Sequence, residues 1–486
     1  MKRYHLFLMG LFTWLLVLPT GVAAQRKTVE EQRAWEEHYD KLNIRHSTKV
    51  LTDSSPAMLK IPEKYNDIID FEMAKTPPTI DFAIVQDVEP EYLPYALASK
   101  TGGSWGGWGD VTKGPDGCFY FSISNHLSYA AESYIVRYDP KTKSQKLAVS
   151  LKNLIGLAPD EFADGKIHAD MDIGPGGDLW TLTYFAPKPT TWEWEHVYRG
   201  SWLIHHNVFT GKTEHLGIPL EGESWPYQAY DWDRNLLFGV GDGGKVIVYD
   251  TKERKMVYGG HPPDGIHWYT RCVLIDRETG IFYTTDTPVR SHMFPLGETH
   301  RFVKYTRRNN EFTRMNAVVP KNPVTGKQTA IRAHTKRKDK DGAFWCFDFY
   351  GSIFKFFPDE DRTDYVGINW GEKGYYTPNL CLSPGGRYLY YLPGATMTTA
   401  YGVPVVQYDT RTKKKKVLAF VYHYYLDTYG YAPVRPFGIE LDDKGESLLF
   451  YVNGGFKPDE GESWSRIDVR HSGFLHLHIP ESERRE

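Results

Sequence analysis

The chain has 486 residues, and its 58 Lys and Arg against 61 Asp and Glu give a formal net charge of −3. A balance so near zero excludes the broad electrostatic footprint of a nucleic-acid-binding protein or of one held to an acidic membrane. Tyr, Trp and Phe make up 15% of the residues, a bias that suits β-strands and also supplies rings able to stack on sugar faces.

Lys2 and Arg3, an apolar run over residues 6–19 and the small residues Val22-Ala23-Ala24 before Gln25 predict a secretory signal peptide over 1–24. The run is too short to span a bilayer, and no later segment is apolar enough to do so. The expected location is therefore secreted or periplasmic. Residues 25–100 read as an N-terminal extension packing on the main domain, with helical spacing over 30–43 and a segment rich in Pro and Lys after it.

From about Gly102 a hairpin signature appears seven times: an apolar or alternating run, a polar turn, then an aromatic-rich run. The turns end at Gly117, Gly177, Asn235, Gly280, Gly342, Gly386 and Gly445, and they lead into runs such as CFYFSIS, LWTLTYF and LLFYVNG. A second motif interleaves with the first, a strand closing on an aromatic or His before a polar turn. Its copies centre on Tyr138, His206, Tyr249, Tyr305, Phe356, Tyr408 and His478. Two hairpins per repeat make a four-stranded blade, so residues 101–486 are predicted to form an all-β, seven-bladed β-propeller. Longer spacings place insertions at 151–165, 185–198, 422–437 and 455–470, around blades one, two and seven, and repeat proteins collect such insertions on a binding face. The Lys-rich stretches at 336–340 and 413–416 fall where turns are expected and read as solvated loops. Cys118, Cys272, Cys346 and Cys381 form no CxxC pair, which leaves disulfides, buried thiols and metal ligation open.

Residues just before an innermost strand, or just after a second strand, emerge at a blade end near the central channel. His126 beside Asn125, His168 and Tyr184 take such positions in blades one and two, and Arg199 begins the third strand of blade two. Taken singly, each is more often a structural residue. Taken together, Tyr, His and Arg suit β-elimination on a uronic acid, in which the charge of the carboxylate is neutralised while the neighbouring carbon loses its proton. Hydrolysis needs a defined carboxylate pair, which no motif singles out.

The blade pattern, the Asn-His after the first hairpin, the GKIH before the second, and a Tyr fifteen residues before Arg199-Gly200 resemble secreted seven-bladed polysaccharide lyases, most closely the ulvan lyases. That resemblance implies an enzyme acting on an anionic, sulfated polysaccharide. His126 would be its catalytic His, Tyr184 its acid/base, Arg199 its carboxylate neutraliser and His168 a second active-site His. Asn125, Tyr227, Tyr230, Tyr269, Arg271 and Arg332 would line the substrate groove, Arg271 being suited to a sulfate or second carboxylate. Ligand types for a structural zinc ion occur at His205 (or His206), Cys272 and His334. A monomer without organic cofactor is expected. The competing readings are another uronate lyase, a calcium-dependent lactonase using Asp110, Asp172 and Asp231, and a noncatalytic glycan- or protein-binding propeller.

Overall fold

A computed structural model describes residues 49–65, 70–85, 105–125, 131–158, 160–186, 188–269, 271–287, 300–394, 403–456 and 471–485. The signal segment 1–24, the helix expected over 30–43 and His126 lie outside the described residues.

The molecule is a seven-bladed β-propeller. Blade three shows the unit plainly. Tyr227–Asp231, Leu236–Val240, Val246–Asp250 and Lys255–Gly260 pair antiparallel in sequence order, stepping outward from the axis. The hairpin turns between first and second strands explain why the repeat is so visible in the sequence. Their closing residues all take left-handed backbone, from φ 55° at Asn235 to φ 83° at Gly177, a conformation that Gly adopts freely and Asn tolerates. The seven aligned residues Tyr138, His206, Tyr249, Tyr305, Phe356, Tyr408 and His478 all fall on third strands.

Neighbouring blades face one another across layers of aromatic side chains, most of them from second and third strands. Phe238 stacks on Phe282 at 5.1 Å and meets Trp268 at 4.7 Å, while Phe302 and Phe356 stack at 4.0 Å. These rings are fully buried, and burial of this kind is the main stabilising term.

Several blades vary the unit. In blade two the innermost strand is reduced to bridges, Lys166 to Tyr184 and Ile173 to Leu179. In blade seven the C-terminal part of the chain supplies three strands among the described residues, Tyr431–Leu441, Ser447–Phe456 and His471–His478. The fourth is Thr79–Ile84, paired with His471–His478, and Leu51–Ser54 adds a fifth. Phe71–Met73 also pairs, in parallel, with Lys415–Phe420 of blade six. The expectation of an extension merely packing on the propeller is thus corrected: residues 71–84 are woven into its sheets and close the ring.

Short helices occupy the insertions, at Leu151–Ile155, Thr191–His196 and Val421–Tyr429. The second carries a capping box between Thr190 and Glu193. All four cysteines are free thiols, three of them buried. Among the described residues no helix is long and apolar enough to cross a membrane.

Candidate functional site

Inner strands begin, and second strands finish, at the same end of the axis, and there a polar cluster forms. Gly165 makes the first part possible. A Cβ at that position would stand 2.1 Å from Ala186 O and 2.8 Å from Asn125 O, so only glycine lets this strand lie so close to its neighbours. The Tyr184 N–H then donates to Lys166 O at 2.8 Å, which fixes the register. Lys166 and His168, two residues apart in extended chain, point to one side.

His168 is buried and held at both ring nitrogens. Nδ1 lies 2.9 Å from Pro226 O, and Nε2 lies 2.9 Å from Arg271 Nη1. A carbonyl can only accept and a guanidinium can only donate, so the ring carries its proton on Nδ1 and offers a lone pair at Nε2. Burial, then the charges of Arg271, Lys166 and Arg332, hold its pKa well below the usual value, and the ring is neutral.

The Tyr184 ring lies 6.1 Å from that of His168, and its hydroxyl donates to Asp242 Oδ1 at 3.1 Å. The Arg271 charge lies close enough to the Tyr184 hydroxyl to favour its ionised form. Burial raises the phenol pKa further than Arg271 lowers it, so Tyr184 stays protonated at neutral pH. Asp242 is presented by the turn after the second strand of blade three. The buried Glu223 anchors that turn, its Oε1 accepting Gly243 N at 2.7 Å and Ser224 N at 3.2 Å.

Lys166 places its Nζ 5.1 Å from the Trp108 ring and 5.9 Å from the Tyr184 ring. Loss of hydration, followed by repulsion from Arg271, pushes its pKa down to about 7. Arg332 is 2% exposed; its Nε donates to Tyr376 Oη at 2.7 Å, and Nη1 reaches the carbonyls of Pro378 and Arg271. Tyr269 is buried nearby, its hydroxyl lacking a partner. Asn125, ending the second strand of blade one, is likewise buried with an unpartnered side-chain amide. Orphaned polar groups of this kind are costly unless a ligand or water meets them.

The cluster gathers His168, Tyr184, Arg271, Arg332 and Tyr269 from the sequence-chosen residues. Others stand elsewhere. Arg199 is a correction: its side chain is 71% exposed and ion-paired with Glu221. It leads into a third strand, and each strand outward adds about 4.8 Å from the axis. Tyr230 lies at the far end of its strand, its hydroxyl 3.5 Å from Thr251 and its ring against Trp180 between blades. Tyr227, at the start of its inner strand, is buried beside Asp170 and within range of the Arg332 charge. The proposed zinc ligands do not fit together. His205 faces Asp178 and Glu214 carboxylates, and His334 faces the carbonyls of Val273 and Thr335. Cys272 is packed in an apolar cluster. The calcium cage fails as well, because Asp231 caps its own turn and binds Arg234, while Asp172 binds Arg277 and the Tyr230 N–H.

Lys166, Asp242 and Trp108 were not singled out from sequence. Lys166 had a signal, lying two residues before His168 on the same strand. Asp242 had another, following the second strand of blade three by the same two residues as Tyr184 follows that of blade two.

No family model matches the chain, and no curated protein does. Among solved structures, the WD40 repeats of RRP9 align at a TM-score of 0.48 and 10% identity, over 82% of this chain and 98% of that one. U3-55K aligns at 0.46 and 10%, with the same coverage.

Proposed function

We propose that this end of the axis binds a uronic-acid polysaccharide and cleaves it by β-elimination. The observation that carries the reading is the convergence of a neutral His168, a protonated Tyr184 and the Arg271 guanidinium, which bonds His168 and acts electrostatically on Tyr184. In the reaction Arg271, joined by Lys166, moves its hydrogen bonds to the C5 carboxylate of the substrate. This neutralises the carboxylate and frees the His168 lone pair. His168 Nε2 takes the C5 proton, the C4–O4 bond breaks as the C4–C5 double bond forms, and the Tyr184 hydroxyl gives its proton to O4. Donors aimed at charge that develops in the transition state are commonly the largest single contribution to such a rate. Arg271 takes the role expected of Arg199.

One observation favours a second reading, a noncatalytic glycan-binding propeller. Both atoms assigned to proton transfer already have partners, His168 Nε2 in Arg271 and the Tyr184 hydroxyl in Asp242. Incubation with ulvan, pectin, alginate and glycosaminoglycans, followed by ultraviolet absorbance, separates the two. A rise marks the unsaturated uronate that elimination creates. Binding without a rise selects the second reading, and new reducing ends without a rise indicate hydrolysis.

A further inference from the structure

We infer that Asp81, His476 and His478 form a site for a divalent transition-metal ion, zinc being the natural candidate, on the outer part of blade seven. The site is separate from the axial cluster and shares no residue with the zinc set expected from sequence. His476 and His478 are two apart on the third strand and so share one face, while Asp81 pairs directly with His476 from the closing strand. One ligand atom from each lies within 4.8 Å of the other two. Asp81 Oδ2 is 3.1 Å from His478 Nε2 and 4.0 Å from His476 Nδ1. Ligands about 2.0–2.2 Å from a tetrahedral zinc stand roughly 3.3–3.5 Å apart, a value these two distances straddle.

Hydrogen bonding fixes which nitrogen of His476 is free. The Ser447 hydroxyl donates to Asp442 Oδ2 at 2.8 Å, so it accepts from His476 Nε2–H at 2.9 Å. The proton is thereby held on Nε2, and Nδ1 is a bare lone pair. His476 is 3% exposed, and Nδ1 has no partner. A buried lone pair aimed at a carboxylate oxygen gains nothing from it, since both only accept. A cation between them satisfies both. The Asp442–Ser447–His476 chain is the outer hydrogen-bonding support typical of metal-ligating histidines. Lys143 and Thr52 occupy Asp81 Oδ1, while Oδ2 meets His478 Nε2 at 3.1 Å, a hydrogen bond whose proton a metal ion between the two would displace. The His478 side chain is 45% exposed, which gives an entry path and room for a water as fourth ligand.

The ion would cross-link the closing strand to the last strand of the ring. The test takes the whole chain, stripped with chelator and titrated with zinc by calorimetry and thermal unfolding. His478→Ala, at the exposed ring, and Asp81→Asn should each bind one equivalent fewer than wild type and lose the zinc-induced rise in Tm. X-ray absorption of the zinc-loaded wild type, which needs no variant, should show two imidazoles in the first shell. Equal stoichiometry and equal thermal shift in all three proteins, or a first shell without imidazole, overturns the site.

Discussion

Arg271 is the residue on which the axial cluster turns. Its guanidinium holds the lone pair of His168 and so fixes that ring's tautomer, and it lies beside Tyr184, whose phenol burial keeps protonated. Arg271→Ala should lower turnover on a uronate polymer about 10²–10³-fold, the usual cost of losing one preorganised donor. Arg199→Ala, at an exposed ion pair, should leave turnover unchanged. Steady-state rates on one polymer compare the two. Lys166 sets a pH dependence whose sign follows from its lowered pKa. The ammonium form prevails below about 7 and is lost above it, so affinity for an anionic polymer should fall as pH rises from 6 to 8. Lys166→Arg, charged throughout, should bind with little change over that range, and calorimetry at three pH values checks this. The pair Tyr184 and His168 was legible in sequence because blade ends repeat and the two side chains break the repeat. Arg271 was legible only as a groove residue. Its partnership with His168 joins blades two and four, a proximity set by ring closure that no local spacing encodes.

At the scale of elements, turn chemistry made the fold readable. Each repeat needs a left-handed residue where its first hairpin closes, and Gly or Asn punctuates the chain accordingly. The cost of losing that residue depends on surroundings. At Gly386 (φ 78°) a Cβ meets nothing within 4 Å, so Gly386→Ala should cost only the left-handed strain, about 1–2 kcal/mol. At Gly177 (φ 83°) the Cβ would stand 2.5 Å from the Phe209 ring, so Gly177→Ala should cost more than that. Urea unfolding of the two variants measures the difference. The short helices were less legible. Five, six and nine residues are too few to show a helical period, and their insertions were recognised only as breaks in spacing. The closing strand was hidden for another reason. Thr79–Ile84 alternates poorly because it is buried on both faces, and its partner lies almost four hundred residues away. A chain beginning at residue 101 lacks this strand and exposes the edge of His471–His478. It should aggregate where the longer chain stays soluble, and a synthetic peptide spanning 71–85 should restore solubility, as light scattering can follow.

The whole molecule divides its charge along the axis. Cationic and aromatic side chains gather where inner strands begin, around Lys166, Arg271 and Arg332. Farther along the axis lie Asp110, Asp170, Asp172 and Glu440, with Lys336 bonded to Glu440 at 2.6 Å. Burial raises the pKa of Asp170 well above the ordinary range and that of Glu440 to about 7, which limits the negative charge that the interior must carry. Under the proposed function, this asymmetry would draw an anionic polymer to one end of the axis. The most direct test of elimination at that end is proton NMR of polymer digested by wild type and by Tyr184→Phe, with binding measured in parallel. The account predicts a vinylic H4 signal from wild type that is lost in the variant while polymer affinity is kept. Cleavage that leaves the uronate ring saturated, or a vinylic signal undiminished in Tyr184→Phe, would contradict it.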